Sequence, residues 1–486
     1  MSQKNNSNQQ WGTRVGYIIA AAMAMAGLGN VWRFPNLVGR YGGAAFLIPY
    51  IILLFLVAIP GEWAEAILGK VTRRGTVGAY RAVNPLFTGN GFITTVLSTG
   101  VATYYVVICA WTFAYLLQAI RGTLMDMDPA VYWDSIYANG TGSNTGLIAV
   151  LSVLILAICY FVTSRGVQGG IEKVNKFLAP CLFCILIILG IRGITLDGSE
   201  AGIDFYMNTD WSMVFKPVTW IMALSQVLFS IGPNWGIYTT YGRYMKKDDE
   251  VPKSYMTSCL ADTSVALLAG WAIFPAVFAY GLDTTSGYSL AFVALSTVFQ
   301  NMPGGRFFAI IFFLALFMAA VSTIFGFMQV GMANLKDEFK NASEKKLMLW
   351  LYVIVAALSL PAAFIPNWID VFDTWVGCYI LPIAMIILYV SVSYSRNINT
   401  IRLKYLNCYS DIYVGKWWNW DIKIFQPLMV LIIWGFWIYS AVTEHWGFLL
   451  GVGGLAISIA SCLLLIWLGV IYAKKHPGNS SPDVLK

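Results

Sequence analysis

Apolar residues run along this chain in long blocks, with short polar connections between them. Twelve blocks reach the roughly 20 residues that a helix needs to cross a hydrocarbon core, at about 14–37, 43–69, 91–120, 147–164, 175–195, 213–243, 254–282, 306–335, 347–365, 368–394, 425–443 and 447–473. They predict an all-α integral membrane protein with about twelve transmembrane helices. Segments 1, 6, 8 and 10 break the pattern, holding glycine, proline or polar residues at depths where a lipid-facing helix would be plain. The first ten residues are polar and the span after them is too long for the core of a secretory signal, so the first helix is expected to stay in the mature protein.

Charge in the connections fixes the expected topology. Lys70, Arg73, Arg74 and Arg81 follow segment 2, while Arg165, Lys173 and Lys176 lie between segments 4 and 5. Arg243, Lys246, Lys247 and Lys253 follow segment 6; Lys336, Lys340, Lys345 and Lys346 follow segment 8; Arg396, Arg402, Lys404, Lys416 and Lys423 follow segment 10. The alternate connections are acidic, with Asp126, Asp128 and Asp134, then Asp197, Glu200, Asp204 and Asp210. The positive-inside rule therefore predicts a multi-pass protein of the plasma membrane with both termini cytoplasmic. The parts are a tail at 1–10, a ten-helix core at 11–395, a cytoplasmic loop at 396–424, helices 11 and 12 at 425–473 and a tail at 474–486.

Composition agrees. Of 486 residues 58% are hydrophobic and 11% charged, against about 25% charged in soluble domains, so the lipid bilayer is the expected solvent. The net charge of +7 follows the loop asymmetry, and no nucleic-acid partner is expected from it. Eight cysteines sit mostly in apolar stretches without metal-ligand spacing, and the two histidines, His445 and His476, fall in a loop and a tail. Neither set suits a metal cluster or histidine catalysis.

Two of the irregular segments match. Segment 1 carries Met25-Ala26-Gly27-Leu28-Gly29-Asn30 and then Trp32-Arg33-Phe34-Pro35; segment 6 carries Phe229-Ser230-Ile231-Gly232-Pro233-Asn234-Trp235-Gly236. Glycines alone are common where membrane helices pack closely. With a proline and a counterpart five helices on, they predict broken helices, which survive only where protein, water or ligand satisfies the freed backbone. Half-helix N–H groups can then face an anion and unwound carbonyls a cation.

Several separated motifs resemble the neurotransmitter:sodium symporters, prokaryotic ones especially. They are Trp11-Gly12-Thr13-Arg14, Gly27-Leu28-Gly29-Asn30-Val31-Trp32-Arg33-Phe34-Pro35, Tyr41-Gly42-Gly43-Ala44-Ala45-Phe46 and Tyr104-Tyr105. Asp262-Thr263-Ser264-Val265-Ala266-Leu267-Leu268-Ala269-Gly270 and Met328-Gln329 continue the series, so the resemblance runs from residue 11 to about 395. It implies a 5+5 inverted repeat, at about 11–195 and 212–395, with helices 1 and 6 broken and helices 11 and 12 added. It also implies two Na+ sites. One would use the Met25 carbonyl, Asn30, Ser230 and Asp262; the other the Met23 and Ala26 carbonyls with Ala319, Ser322 and Thr323.

Asp262 lies nine residues in from Lys253, roughly 13 Å deep at about 1.5 Å per residue. An unpaired carboxylate there costs on the order of 2.5–3.5 kcal/mol, which a cation would offset. Chloride-dependent members of the family typically have Asn at this position, so the resemblance implies chloride-independent transport. Sodium-free, Asp262 could instead take a proton. Tyr105 would donate to a substrate carboxylate beside the Gly27, Leu28 and Gly29 amides, while Met25, Val101, Phe229, Ser230, Gly232, Asn234, Trp235, Thr323 and Phe327 shape the remaining pocket. Family members that carry monoamines have Asp where this chain has Gly27, which points to a solute bringing its own carboxylate.

For gates, the resemblance implies Arg33 with Asp373 on the outer side, and Asp337 with Tyr244 and Gln329 on the inner. The usual arginine partner of the inner carboxylate falls at Asn8, leaving Lys4 as the nearby cation. The expected function is sodium-coupled symport of an amino acid or similar small zwitterion by alternating access. Because Pro233 and Asn234 depart from the family pattern, another zwitterion or an amine or osmolyte is the second reading. A channel fits breaks around one central site less well, and an enzyme would need a nucleophile–base pair or metal cluster that the sequence lacks.

Overall fold

The structure is a computed structural model and describes residues 10–285, 287–394, 397–443 and 447–476. Among these, ten unbroken apolar helices are long enough to span a membrane. They are α2 (Ala44–Thr72), α3 (Pro85–Arg121), α4 (Thr145–Thr163), α5 (Val167–Ile194) and α7 (Pro252–Ala279), then α8 (Gly305–Glu338), α9 (Glu344–Phe364), α10 (Trp368–Tyr394), α11 (Trp417–Thr443) and α12 (Val452–Lys475). An eleventh, α1, is a bent pair, α1a (Arg14–Met25) and α1b (Gly29–Arg40), whose axes meet at 56°. The twelfth, α6, is split into α6a (Pro217–Ser230) and α6b (Ile237–Arg243). The expected count and both expected breaks are present, each in the first helix of a five-helix half. A short apolar helix, Leu290–Asn301, lies between α7 and α8, where the sequence reading had only a connection.

The long helices α3 and α8 lie along one another and form a wall, and α1a packs between α5, α7 and α8. Glycines allow the closest approaches. A Cβ on Gly69 of α2 would sit 1.8 Å from the Thr239 carbonyl oxygen of α6b, and one on Gly242 2.4 Å from that of Ala66. No side chain fits this seam.

Proline explains a second irregularity. Pro60 has no N–H to give, and α2 passes through a wider turn over Leu54–Ala58 just before it. Carbonyls released by such a turn need other donors in lipid. Gln426 on α11 supplies them, its Nε2 donating to the oxygens of Leu56 (3.2 Å) and Val57 (2.9 Å). Trp418 adds its indole N–H to the Pro60 oxygen at 3.1 Å.

Candidate functional site

The break in α1 is a three-residue turn. Ala26 takes φ −69° and ψ 62°, and the Gly27 N–H returns to the Met25 oxygen at 2.6 Å, the geometry of an inverse γ-turn. Gly27 is required by contact: a Cβ there would lie 2.5 Å from the Tyr105 hydroxyl and 2.8 Å from that of Thr323. Gly29 is less confined, its Cβ meeting only the Phe229 ring at 3.4 Å. The Leu28 N–H donates to the Tyr105 hydroxyl at 2.9 Å, which leaves the phenol's own proton for another acceptor.

Below this turn the two breaks share a buried oxygen cluster. Asn30 donates through Nδ2 to the Asp262 side chain (2.7 Å) and backbone oxygen (3.0 Å). Ser230 donates to Asn30 Oδ1 at 2.8 Å, with Asp262 Oδ2 at 3.3 Å. Asp262 is fully buried, and the partners on its side chain are neutral. A carboxylate, an amide, a hydroxyl and nearby carbonyls are the donors that hard cations take. A second set lies between α1a and α8: Ser322 donates to the Met23 (2.8 Å) and Ala319 (2.7 Å) oxygens, and Thr323 to that of Ala319 at 3.2 Å. Carbonyls and hydroxyls joined by such neutral bonds can turn toward an ion without exposing a donor to lipid.

The break in α6 is satisfied from behind. Asn234 has a positive φ of 75°, which Asn tolerates better than most residues. That turn sends its N–H to Glu65 Oε2 at 2.5 Å, while the Thr239 N–H reaches Glu65 Oε1 at 3.1 Å. Tyr80 donates to Asn234 Oδ1, and Ser98 to the Trp235 oxygen. Asn234 and Gly232 therefore do not line the cavity, contrary to the sequence expectation. Gly232 is pressed against the Leu228 carbonyl, 1.8 Å from any added Cβ, and the Asn234 amide is tied to α2 and the neighbouring helix Thr76–Val83.

The breaks bound a cavity of about 260 Å³. Met25, Gly27, Gly29, Asn30, Val101, Tyr105, Phe229, Ser230, Trp235, Thr323 and Phe327 all line it, as the sequence suggested. Leu28 contributes only its N–H. Trp235 stands edge-on to Phe229 and Phe327, with ring centroids 6.4 and 6.0 Å apart, and Phe327 is 6.2 Å from Tyr105. Tyr104, Tyr238 and Tyr288 also line it and were missed. Tyr104 stood in a quoted motif, and its place one residue before Tyr105 was the available signal.

The cavity's two ends differ. At one end Arg33 and Asp373 both line it without forming an ion pair. Arg33 donates to Gln226 and to Ser225 (3.1 Å), with its guanidinium carbon 4.4 Å from the Phe229 ring centre. Asp373 accepts from the Tyr104 hydroxyl at 2.7 Å. The opposite end is sealed. Arg243 on α6b pairs with Asp337 at 2.7 Å, and Gly75 N–H donates to the other Asp337 oxygen at 2.7 Å. Asn8 and Lys4, the sequence candidates, lie outside the described residues. Trp11 is nearly inaccessible and donates its indole N–H to the Tyr241 oxygen at 3.0 Å. Tyr244 and Gln329 are buried at the same end.

A polytopic bundle in which two broken helices meet at one central cavity defines a membrane transporter of the inverted-repeat type. The sequence matches the Sodium:neurotransmitter symporter family over residues 8–138 and 132–474, and the chain belongs to that family. It is 28% identical over 455 residues to an uncharacterized sodium-dependent transporter of Haemophilus influenzae, covering 89% of this chain and 99% of that one. It is 30% identical over 371 residues to the sodium- and chloride-dependent taurine transporter of Bos taurus, covering 66% of this chain and 59% of that one. Among solved structures, that of MhsT in complex with L-phenylalanine superposes with a TM-score of 0.79 at 30% identity, covering 87% of this chain and 98% of that chain.

Proposed function

We propose that this protein is a secondary carrier that uses a sodium gradient to import an amino acid with an apolar or aromatic side chain, without needing chloride. The observation that carries the reading is the cavity between the breaks, with its two chemically distinct ends. On one side are the Tyr105 hydroxyl and the turn at Gly27–Gly29, suited to a carboxylate. On the other are Val101, Phe229, Trp235 and Phe327, suited to an apolar side chain. The volume of about 260 Å³ falls just under the range of about 300–1,000 Å³ usual for drug-sized ligands, which favours a solute of one small zwitterion.

In this reading Met25, Asn30, Ser230 and Asp262 hold one sodium ion, and Met23, Ala26, Ala319, Ser322 and Thr323 hold a second. The buried Asp262 charge takes the place of a chloride ion. The taurine transporters of this family are named as chloride-dependent, so the distinction is testable within one family. Arg243–Asp337 and Trp11 would be the inner gate, closed, with Arg33 and Asp373 the outer gate, not yet paired across the cavity. The orientation follows the loop charges and sets both termini in the cytoplasm. Pro233 and Asn234 were the ground for the second reading, another zwitterion; the hydrogen bond of Asn234 with Tyr80 turns that side chain from the cavity and weighs toward an amino acid.

The test is uptake of labelled amino acids into proteoliposomes. Accumulation of phenylalanine or leucine should need an inward sodium gradient and persist when gluconate replaces chloride. Equal uptake on a potassium gradient would overturn the coupling; loss of uptake in gluconate would overturn the assignment to Asp262.

A further inference from the structure

Helix α2 carries two carboxyl groups inside its apolar span, Glu62 and Glu65, three residues apart and so on neighbouring positions of one face. Their surroundings differ sharply. Glu65 accepts the backbone N–H groups of Asn234 and Thr239, which suits an anion. Glu62 is fully buried, and neither of its side-chain oxygens has a hydrogen-bond partner among the described residues. The titratable groups around it are Glu65 on its own helix, Tyr238 on α6b, Tyr255, Cys259 and Asp262 on α7, and Tyr389 on α10. Two of these, Glu65 and Asp262, are carboxylic acids like Glu62 itself, and no base stands among them. A carboxyl group buried beside other acids, with no cation and no hydrogen bond to hold a charge, is the arrangement that favours its protonated form.

The position of Glu62 gives that proton a use. On one side it neighbours Tyr238, which also lines the cavity. On the other side the Tyr389 hydroxyl, itself without a partner, sits 2.8 Å from where a Cβ on Gly61 would be, and Asp421 at the start of α11 is the foremost charge acting on it. Glu62 therefore lies at the α2–α6b seam, which closes on Gly69 and Gly242 with no room for a side chain. Any movement of α6b away from α2 would admit water there.

We propose that Glu62 is a proton-carrying carboxyl of the transport cycle, protonated while the α2–α6b seam is shut and ionised when the seam opens. The step breaks one O–H bond at Glu62 and passes the proton to a water molecule entering the seam; closure reverses it. This rests on the sodium-coupled reading for its place in a cycle, but not for the protonation itself.

Infrared difference spectra of the full chain in liposomes separate the two. Wild type should show the C=O stretch of a buried protonated carboxyl that Glu62→Gln removes and Asp262→Asn keeps. With uptake measured at an internal pH of about 6 and about 8, the wild-type rate should be about fivefold slower at the acid value, and Glu62→Gln should remove that difference. Glu62→Leu serves if the glutamine variant does not fold. A carboxyl band unchanged in Glu62→Gln would overturn the proposal. So would a band that disappears while the pH difference stays, since Glu62 would then be neutral throughout. If wild type shows no sodium-driven uptake, the functional reading fails while the infrared result still decides the protonation.

Discussion

The two broken helices solve one physical problem in opposite ways. Unwinding a helix at mid-membrane frees N–H and carbonyl groups that lipid cannot satisfy. In α1 the break opens on the cavity, where the Leu28 N–H meets the Tyr105 hydroxyl and Asn30, at the start of the second half-helix, joins Ser230 and Asp262. In α6 the freed groups face the scaffold, where Glu65 accepts two backbone N–H groups and Ser98 donates to the Trp235 oxygen, while Tyr80 holds the Asn234 side chain. The α1 break thus opens on the cavity, while the α6 break is held in shape. Sequence similarity between the two breaks conceals this division of labour.

Substitutions can separate the two roles. Glu65→Ala should have the largest effect on stability, because it strips two buried N–H groups of their acceptor. At about 1–3 kcal/mol per orphaned group, the melting temperature in detergent should fall in the presence and absence of sodium alike. An unchanged melting curve would mean that the α6 break does not depend on α2. Asp262→Asn should leave the sodium-free melting curve almost unmoved and weaken sodium stabilisation by about tenfold or more in apparent affinity, since one unit charge contacting a cation at a buried site is removed. Unaltered sodium dependence would take Asp262 out of the ion site.

Gly27→Ala and Gly29→Ala compare two positions of one turn. An overpacked methyl costs about 1–3 kcal/mol, so Gly27→Ala should cut the uptake rate or substrate affinity by about fivefold or more. Gly29→Ala, whose added methyl would meet Phe229 at an ordinary contact distance of 3.4 Å, should stay within about threefold. Equal losses at both would show that the turn, not the Tyr105 contact, sets the requirement. Tyr105→Phe should be mildest: losing one hydrogen bond of about 1 kcal/mol raises the half-saturating substrate concentration by about fivefold. A larger change in maximal rate than in affinity would argue that Tyr105 acts on the turn and not on the solute.

What could be read from the sequence divides along physical lines. Span length and loop charge are local, additive signals, and they gave the twelve helices without help from tertiary structure. Gly27, Tyr105 and Asp262 were legible because a polar or flexible residue inside an apolar span is costly and therefore conspicuous. By the same reasoning Glu62 and Glu65 should have been singled out, two carboxyls within an apolar span being as conspicuous as Asp262. Asn234 was misplaced because a single positive φ decides which way its amide points, and no pattern of side chains encodes that angle. The Arg243–Asp337 pair was missed because it joins α6b to α8 across the bundle. In the sequence Arg243 is one basic residue in a cytoplasmic-type connection among many.

The contact of Gln426 with the wide turn of α2 bears on where the working machine ends. If α11 were an optional appendage, a chain stopping after α10 would still be complete. Yet the amide that satisfies Leu56 and Val57 belongs to α11, as does the indole on Pro60. A chain cut short at Tyr394 would present three bare carbonyls to hydrocarbon, on the very helix that braces the α6 break. Shortening the protein at its far end would therefore be felt at its centre.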